Sequence, residues 1–132
     1  MMSIGKISFD KVVLDCADPA ALSDFYCKLL GWKKGYETDG FIIIGSSDCN
    51  VDIGFQKNDE YIAPVWPEEP GKQQQMLHID FSMQQSRLQD WINYVVELGG
   101  RKSEFQYAEA GDGAVMLDPK GHPFCLDIIY ET

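Results

Sequence analysis

A chain of 132 residues, 45% of them hydrophobic, holds enough apolar material for one compact domain or two small modules sharing a core. Its net charge of −10 provides no basic patch for a phosphate backbone, which excludes nucleic-acid binding; an acidic surface serves solubility or attracts a cationic ligand. No apolar run approaches the roughly 18 residues of a membrane span. The N-terminus lacks a basic region followed by an apolar one, so the expectation is a soluble cytoplasmic protein with no membrane partner. The cysteines, Cys16, Cys27, Cys49 and Cys125, form no Cys-x-x-Cys pair and are expected to be reduced.

In chain order, alternation predicts a first strand over 7–16. Asp18-Pro19 starts a helix, with the carboxylate capping free amides and the proline at the first helical position. Ala21, Leu22, Phe25, Tyr26, Leu29 and Leu30 recur at helical spacing, and Gly31 ends the helix. Strands follow from Trp32 to Glu37, over Phe41–Ile44 and over Val51–Lys57, with turns at Thr38–Gly40 and Ser46–Asn50. Residues 58–75 contain Pro64, Pro67, Pro70 and Gly71 and read as a linker, although Tyr61 and Trp66 are unusual in an idle one. A strand is predicted from Met76 to Met83, and a helix over 85–98 with Leu88, Trp91, Ile92, Val95 and Leu98 on one stripe. Strands are then predicted over Arg101–Gln106, Ala114–Leu117 and Pro123–Tyr130, with a turn at Asp118–Gly121.

The order β-α-β-β-β occurs twice. Lys11 to Gly31 is 20 residues and His78 to Gly99 is 21; Gly40 to Gly54 is 14 and Gly113 to Cys125 is 12. This spacing matches Lys11 with His78 and Gly54 with Cys125. The fold class expected is α+β: two modules, 7–57 and 76–131, in a single domain over 1–132, with curved, mixed, mainly antiparallel sheets and the helices outside.

The same alternation sorts the strand residues by face. Val12, Leu14, Val51, Ile53, Phe55, Leu77, Ile79, Phe81, Phe124, Leu126 and Ile128 face the helices. Lys11, Asp15, Asp52, Gly54, Gln56, Met76, His78, Asp80, Cys125 and Asp127 face the other way and make a polar surface, the default place for a ligand. His78 either contacts a ligand or hydrogen-bonds Asp80 or the backbone. Lys11 either contacts a ligand or pairs with a facing carboxylate. Cys125 is either a small filler or a nucleophile, its pKa lowered by a nearby histidine. Gln56 is a surface amide or a ligand donor, Trp66 a plug or a stacking ring, and His122 a structural residue of its turn.

The tandem pattern with Leu29-Leu30-Gly31-Trp32 resembles the vicinal oxygen chelate superfamily, which includes glyoxalase I, bleomycin-resistance proteins and extradiol dioxygenases. Asp18-Pro19, Phe25-Tyr26, Trp66-Pro67, His78-Ile79-Asp80 and Asp118-Pro119-x-Gly121-His122-Pro123-Phe124-Cys125 are similar to its glyoxalase-like branch of uncharacterised bacterial proteins. The resemblance implies a cleft shared by two modules, commonly in a homodimer, with up to four metal ligands at positions that correspond here to Lys11, Gly54, His78 and Cys125. Glycine has no donor atom and lysine must lose a proton first, so this chain departs from the pattern, and no cofactor is expected at those positions. The function expected is binding of a small, possibly cationic, organic molecule without the family's metal chemistry. The alternative is a lyase, isomerase or dioxygenase with a divalent metal in a revised site, Asp80 and Asp127 supplying carboxylates, or with metal-free acid–base catalysis by His78 and Asp80.

Overall fold

Strands of alternating polarity can lay one face on a helix, and the order in which they pair decides what the other face carries. A computed structural model describes residues 4–129 of the chain. Its elements are β1 (Lys11–Cys16), α1 (Pro19–Leu30), β2 (Lys33–Glu37), β3 (Phe41–Ser46), β4 (Cys49–Lys57), β5 (Ile79–Gln84), α2 (Leu88–Glu97), β6 (Arg101–Lys102), β7 (Gly113–Leu117) and β8 (Pro123–Ile129). Contacts divide it into two compact units at Asp59/Glu60. The first sheet runs β1-β4-β3-β2 and the second β5-β8-β7-β6. In each, the first and last strands pair parallel and the remaining pairs are antiparallel. The architecture is thus the α+β class expected, one βαβββ motif written twice.

In the first unit, Asp18 caps α1 by accepting from Ala21 N at 3.1 Å, and Pro19 occupies the first turn. Gly31 closes the helix at φ 70°, a left-handed conformation costly for a residue with a Cβ. Leu22, Phe25, Tyr26 and Leu29 are buried on Ile42 and Ile44 of β3 and Ile53 and Phe55 of β4, and the Tyr26 and Phe55 rings stack with centroids 5.7 Å apart. In the second unit, Leu88, Ile92 and Val95 of α2 join Ala114, Val115, Met116, Leu117, Phe124 and Leu126 in the core. Full burial of each such side chain is worth about 1.5–3 kcal/mol.

Several element ends differ from expectation, for reasons outside the local sequence. The first strand begins at Lys11, not residue 7: β4 gives its last cross-strand bond there, Asp52 N–H to Asp10 O at 3.0 Å, and Ile7 and Phe9 are exposed. The fifth begins at Ile79, not Met76, because the chain kinks at Met76 with φ 66° and Leu77 N donates to Gln75 O at 2.7 Å; Leu77 is exposed. The sixth ends at Lys102, not Gln106. Beyond Ser103 the side chain of Gln106 replaces a strand, accepting from Val115 N at 2.7 Å and donating to Val115 O at 2.9 Å. The second helix starts as a 3₁₀ turn over Gln85–Arg87. The last strand is described to Ile129, and Tyr130 lies outside the described residues.

The segment from Glu60 to Gln75 belongs to the second unit. Tyr61 donates to Lys120 O at 2.8 Å and stacks on His122 with centroids 5.1 Å apart. The turn it braces is built on Asp118, fully buried, whose Oδ1 accepts from Lys120 N at 2.9 Å and His122 N at 3.1 Å while Oδ2 lies 2.9 Å from His122 Nδ1. Replacing Asp118 by alanine strands these donors in a buried place. The Asp118→Ala protein is expected to lose about 3 kcal/mol of stability in urea denaturation, well beyond the effect of a surface substitution.

Candidate functional site

The second unit concentrates ionisable groups on the face of its sheet away from α2. Parallel pairing sets Asp80 beside Cys125 and Ser82 beside Asp127, with His78 immediately before β5. Cross-strand neighbours on one face have Cβ atoms about 5 Å apart. His78 Nε2 lies 3.1 Å from Asp80 Oδ1. One donor atom from each of His78, Asp80 and Cys125 lies within 4.8 Å of the others. Asp80 also interacts with the Cys125 thiol and the Asp127 carboxyl, so three groups converge on one carboxylate.

Their electrostatics follow from burial and from that carboxylate. Burial, then the negative charge of Asp80, pushes the Cys125 thiol up to about 12, so it stays protonated at neutral pH. This corrects the expectation that a neighbouring histidine lowers it: register puts Asp80, not His78, directly opposite. Asp127 is held above the ordinary carboxylate value of 3.8 by burial first, then by its hydrogen bond to Asp80 and that group's charge, while His78 opposes the rise. The charge of Asp80 thus favours the protonated form of Asp127 relative to an isolated carboxylate. The arrangement can orient an imidazole, accept hydrogen bonds from a cation and donate from a thiol.

In the first unit, register sets Val13 beside Gly54 and Asp15 beside Gln56. The Lys11 ammonium pairs with Asp10, its own neighbour, and Gln56 is exposed. A Cβ added at Gly54 would come within 3.0 Å of the Phe41 ring and 3.2 Å of Val13, and 3.5 Å of the Lys11 stem. Side chains already fill the space that a ligating residue at 54 would need. The four positions that the resemblance assigns to a metal, Lys11, Gly54, His78 and Cys125, thus do not fit that role as a set.

Trp66 is placed elsewhere in the second unit, against Phe105 and Tyr107, with ring centroids 6.3 and 5.5 Å away. The groove beside it borders β6, at the opposite edge of the sheet from β5. Sequence reasoning missed both partner rings because it assigned Phe105 to a strand and Tyr107 to a loop; the only signal was an aromatic pair two residues apart after Ser103. No described helix is long and apolar enough to cross a membrane.

A protein with two βαβββ units and a polar sheet face falls into a recognised class, and comparisons place it. Residues 11–126 match the glyoxalase-like domain, and the chain belongs to that family. A solved glyoxalase/bleomycin resistance protein/dioxygenase family enzyme from Burkholderia phytofirmans superposes with a TM-score of 0.69 at 15% identity, covering 90% of this chain and 96% of its own. The fosfomycin resistance protein FosX of Listeria monocytogenes gives 0.66 at 16%, covering 96% and 93%. A glyoxalase/bleomycin resistance protein from Albidiferax ferrireducens gives 0.63 at 16%, covering 92% and 98%. At these identities the likeness is one of fold. No curated protein matches the chain.

Two outcomes test the electrostatics. A thiol at about 12 carries roughly a thousandth of the thiolate of an ordinary one. Iodoacetamide should therefore label Cys125 far more slowly than exposed Cys49, as read by peptide mass mapping, and Asp80→Asn should speed it; equal rates would contradict the assignment. For Asp127, a raised folded-state pKa means stability fully present below 3.8 and lost as pH rises through the raised value. Asp127→Asn should accordingly stabilise the protein at pH 7 and not at pH 3. Asp127 is solvent-exposed, so screening holds the gain to about 0.5 kcal/mol.

Proposed function

We propose that the chain binds a small organic molecule carrying a positive charge on the polar sheet face, without the metal chemistry of the wider superfamily. The observation that carries this reading is the convergence of His78, Cys125 and Asp127 on Asp80. A ligand ammonium donates to both carboxylates at once and favours the ionised form of Asp127, so binding tightens as pH rises through the Asp127 value. His78 keeps Asp80 oriented, and the protonated thiol adds a weak donor. Gly54, filled in by Phe41 and Val13, supports the absence of the usual ligand set. The net charge of −10 favours encounter with a cation.

A second reading rests on one observation, the donors of His78, Asp80 and Cys125 within 4.8 Å of one another. An imidazole, a carboxylate and a thiolate suit a zinc-like cation, which would strip the thiol proton on binding and place the chain among metalloenzymes. Native mass spectrometry and elemental analysis of the purified protein separate the two. The expected result is a small molecule that co-purifies and is lost in Asp80→Asn, with no stoichiometric metal. One equivalent of divalent ion that disappears in His78→Ala would overturn the first reading in favour of the second.

A further inference from the structure

The second unit carries another recess, separate from the Asp80 cluster and of opposite charge. Beside β6 a groove of about 560 Å³ is lined by Trp66, Arg101, Lys102, Glu104, Phe105 and Leu117, among others, a size in the range of small-molecule pockets. Two cations against one carboxylate make its charged rim net positive, in a chain whose total is −10. Among the described residues, Arg101 and Lys102 make no ion pair. Arg101 pairs in register with Leu117, which also lines the groove, so this guanidinium flanks the apolar wall.

The wall is aromatic and held in place. Trp66 and Phe105 of the lining meet each other and the neighbouring Tyr107 edge to face, with interplanar angles of 77°, 74° and 87°, yet Phe105 and Tyr107 remain 39% and 71% exposed. Adjoining apolar surface rimmed by polar residues in this way marks ligand-binding grooves. Trp66 Nε1 is buried and has no hydrogen-bond partner among the described residues. The loop bearing the two exposed rings is pinned by Gln106, which donates to Ser103 O at 2.8 Å and bonds both backbone groups of Val115, and by Ser103 Oγ, which accepts from Phe105 N at 3.1 Å. A wall fixed before binding loses little freedom when a ligand arrives.

We infer that this groove is a second binding site, for a small aromatic carboxylate of one or two rings. The ring system stacks on the exposed faces of Phe105 and Trp66, and the carboxylate takes the paired donors of the Arg101 guanidinium, which match its geometry. Lys102 adds charge, and Glu104 weakens binding by repelling the ligand. An extended peptide is disfavoured, because β6 offers only two residues of edge.

The test is calorimetric titration of the full chain with 2-naphthoate and with 2-naphthalenemethanol, its neutral analogue. The carboxylate should bind saturably and about tenfold more tightly than the alcohol. Arg101→Gln, at an exposed position, should abolish that preference, Glu104→Gln should tighten naphthoate binding a few-fold, and His78→Ala should change nothing. Absence of saturable binding, or equal affinity for both probes regardless of residue 101, overturns the proposal. Binding lost in His78→Ala but kept in Arg101→Gln also overturns it, and directs the molecule to the sheet face instead. Failure here leaves the cation reading of the Asp80 cluster standing, since that rests on different residues and the opposite ligand charge.

Discussion

The parallel pairing of the first and last strand of each module is the constraint from which the rest follows. Two parallel neighbours cannot be joined by a short turn and need a long crossover; here it consists of a helix and two further strands. In both modules that excursion is the same: α1 or α2 crosses one face, and the two middle strands return antiparallel. The helix covers one side of the sheet, and the closing strand brings residues forty or more positions apart into register on the other. Val13 meets Gly54 in this way, and Asp80 meets Cys125.

Because both registers are equivalent, the modules can be read against each other position by position. Lys11 corresponds to His78, Val13 to Asp80, Gly54 to Cys125 and Gln56 to Asp127. The first module has no carboxylate at the central position, where Val13 and Phe41 close over Gly54. The second has Asp80 there, with His78, Cys125 and Asp127 around it. Ionisable side chains so close together constrain one another. The thiol is driven to its neutral form by burial and by Asp80, and one carboxylate is driven toward its proton by the other. A positive charge placed beside Asp80 would relieve this arrangement, whereas a negative one would aggravate it.

Helices and strand faces were legible in the sequence because they depend on local period and on caps. Asp18-Pro19 and Gly31 bounded α1 correctly, and the alternation in β4 and β8 assigned Ile53, Phe55, Phe124 and Leu126 to the core. The ends of strands were not legible, because each is decided by a partner. β5 starts after Met76, whose φ of 66° no period announces. β6 stops because a glutamine side chain four residues on takes over the ladder. The candidate site shows the same division. Spacing matched His78 with Lys11 and put Asp80 and Cys125 on the polar face, but which group stands opposite the thiol is a question of register. The aromatic groove was invisible for the same reason: Trp66 and Phe105 are thirty-nine positions apart, and nothing in either segment refers to the other.

Register on β8 is itself fixed by the turn that precedes it. Side chains along a strand alternate, so a slip of one residue would carry Cys125 to the helix side and Phe124 into the polar face. Asp118 opposes such a slip by holding Lys120 N, His122 N and the His122 ring on one buried carboxylate, so that Pro123 enters the strand at a set point opposite Leu117. Tyr61 then clamps the turn through Lys120 O and the face of His122. The second histidine of the chain thus serves the first. His122 sits away from the polar face and touches no ligand position, but the geometry it completes with Asp118 determines which residue of β8 stands beside Asp80. The dependence runs from a buried carboxylate in a turn, through the start of one strand, to the ionisation of a thiol on that strand.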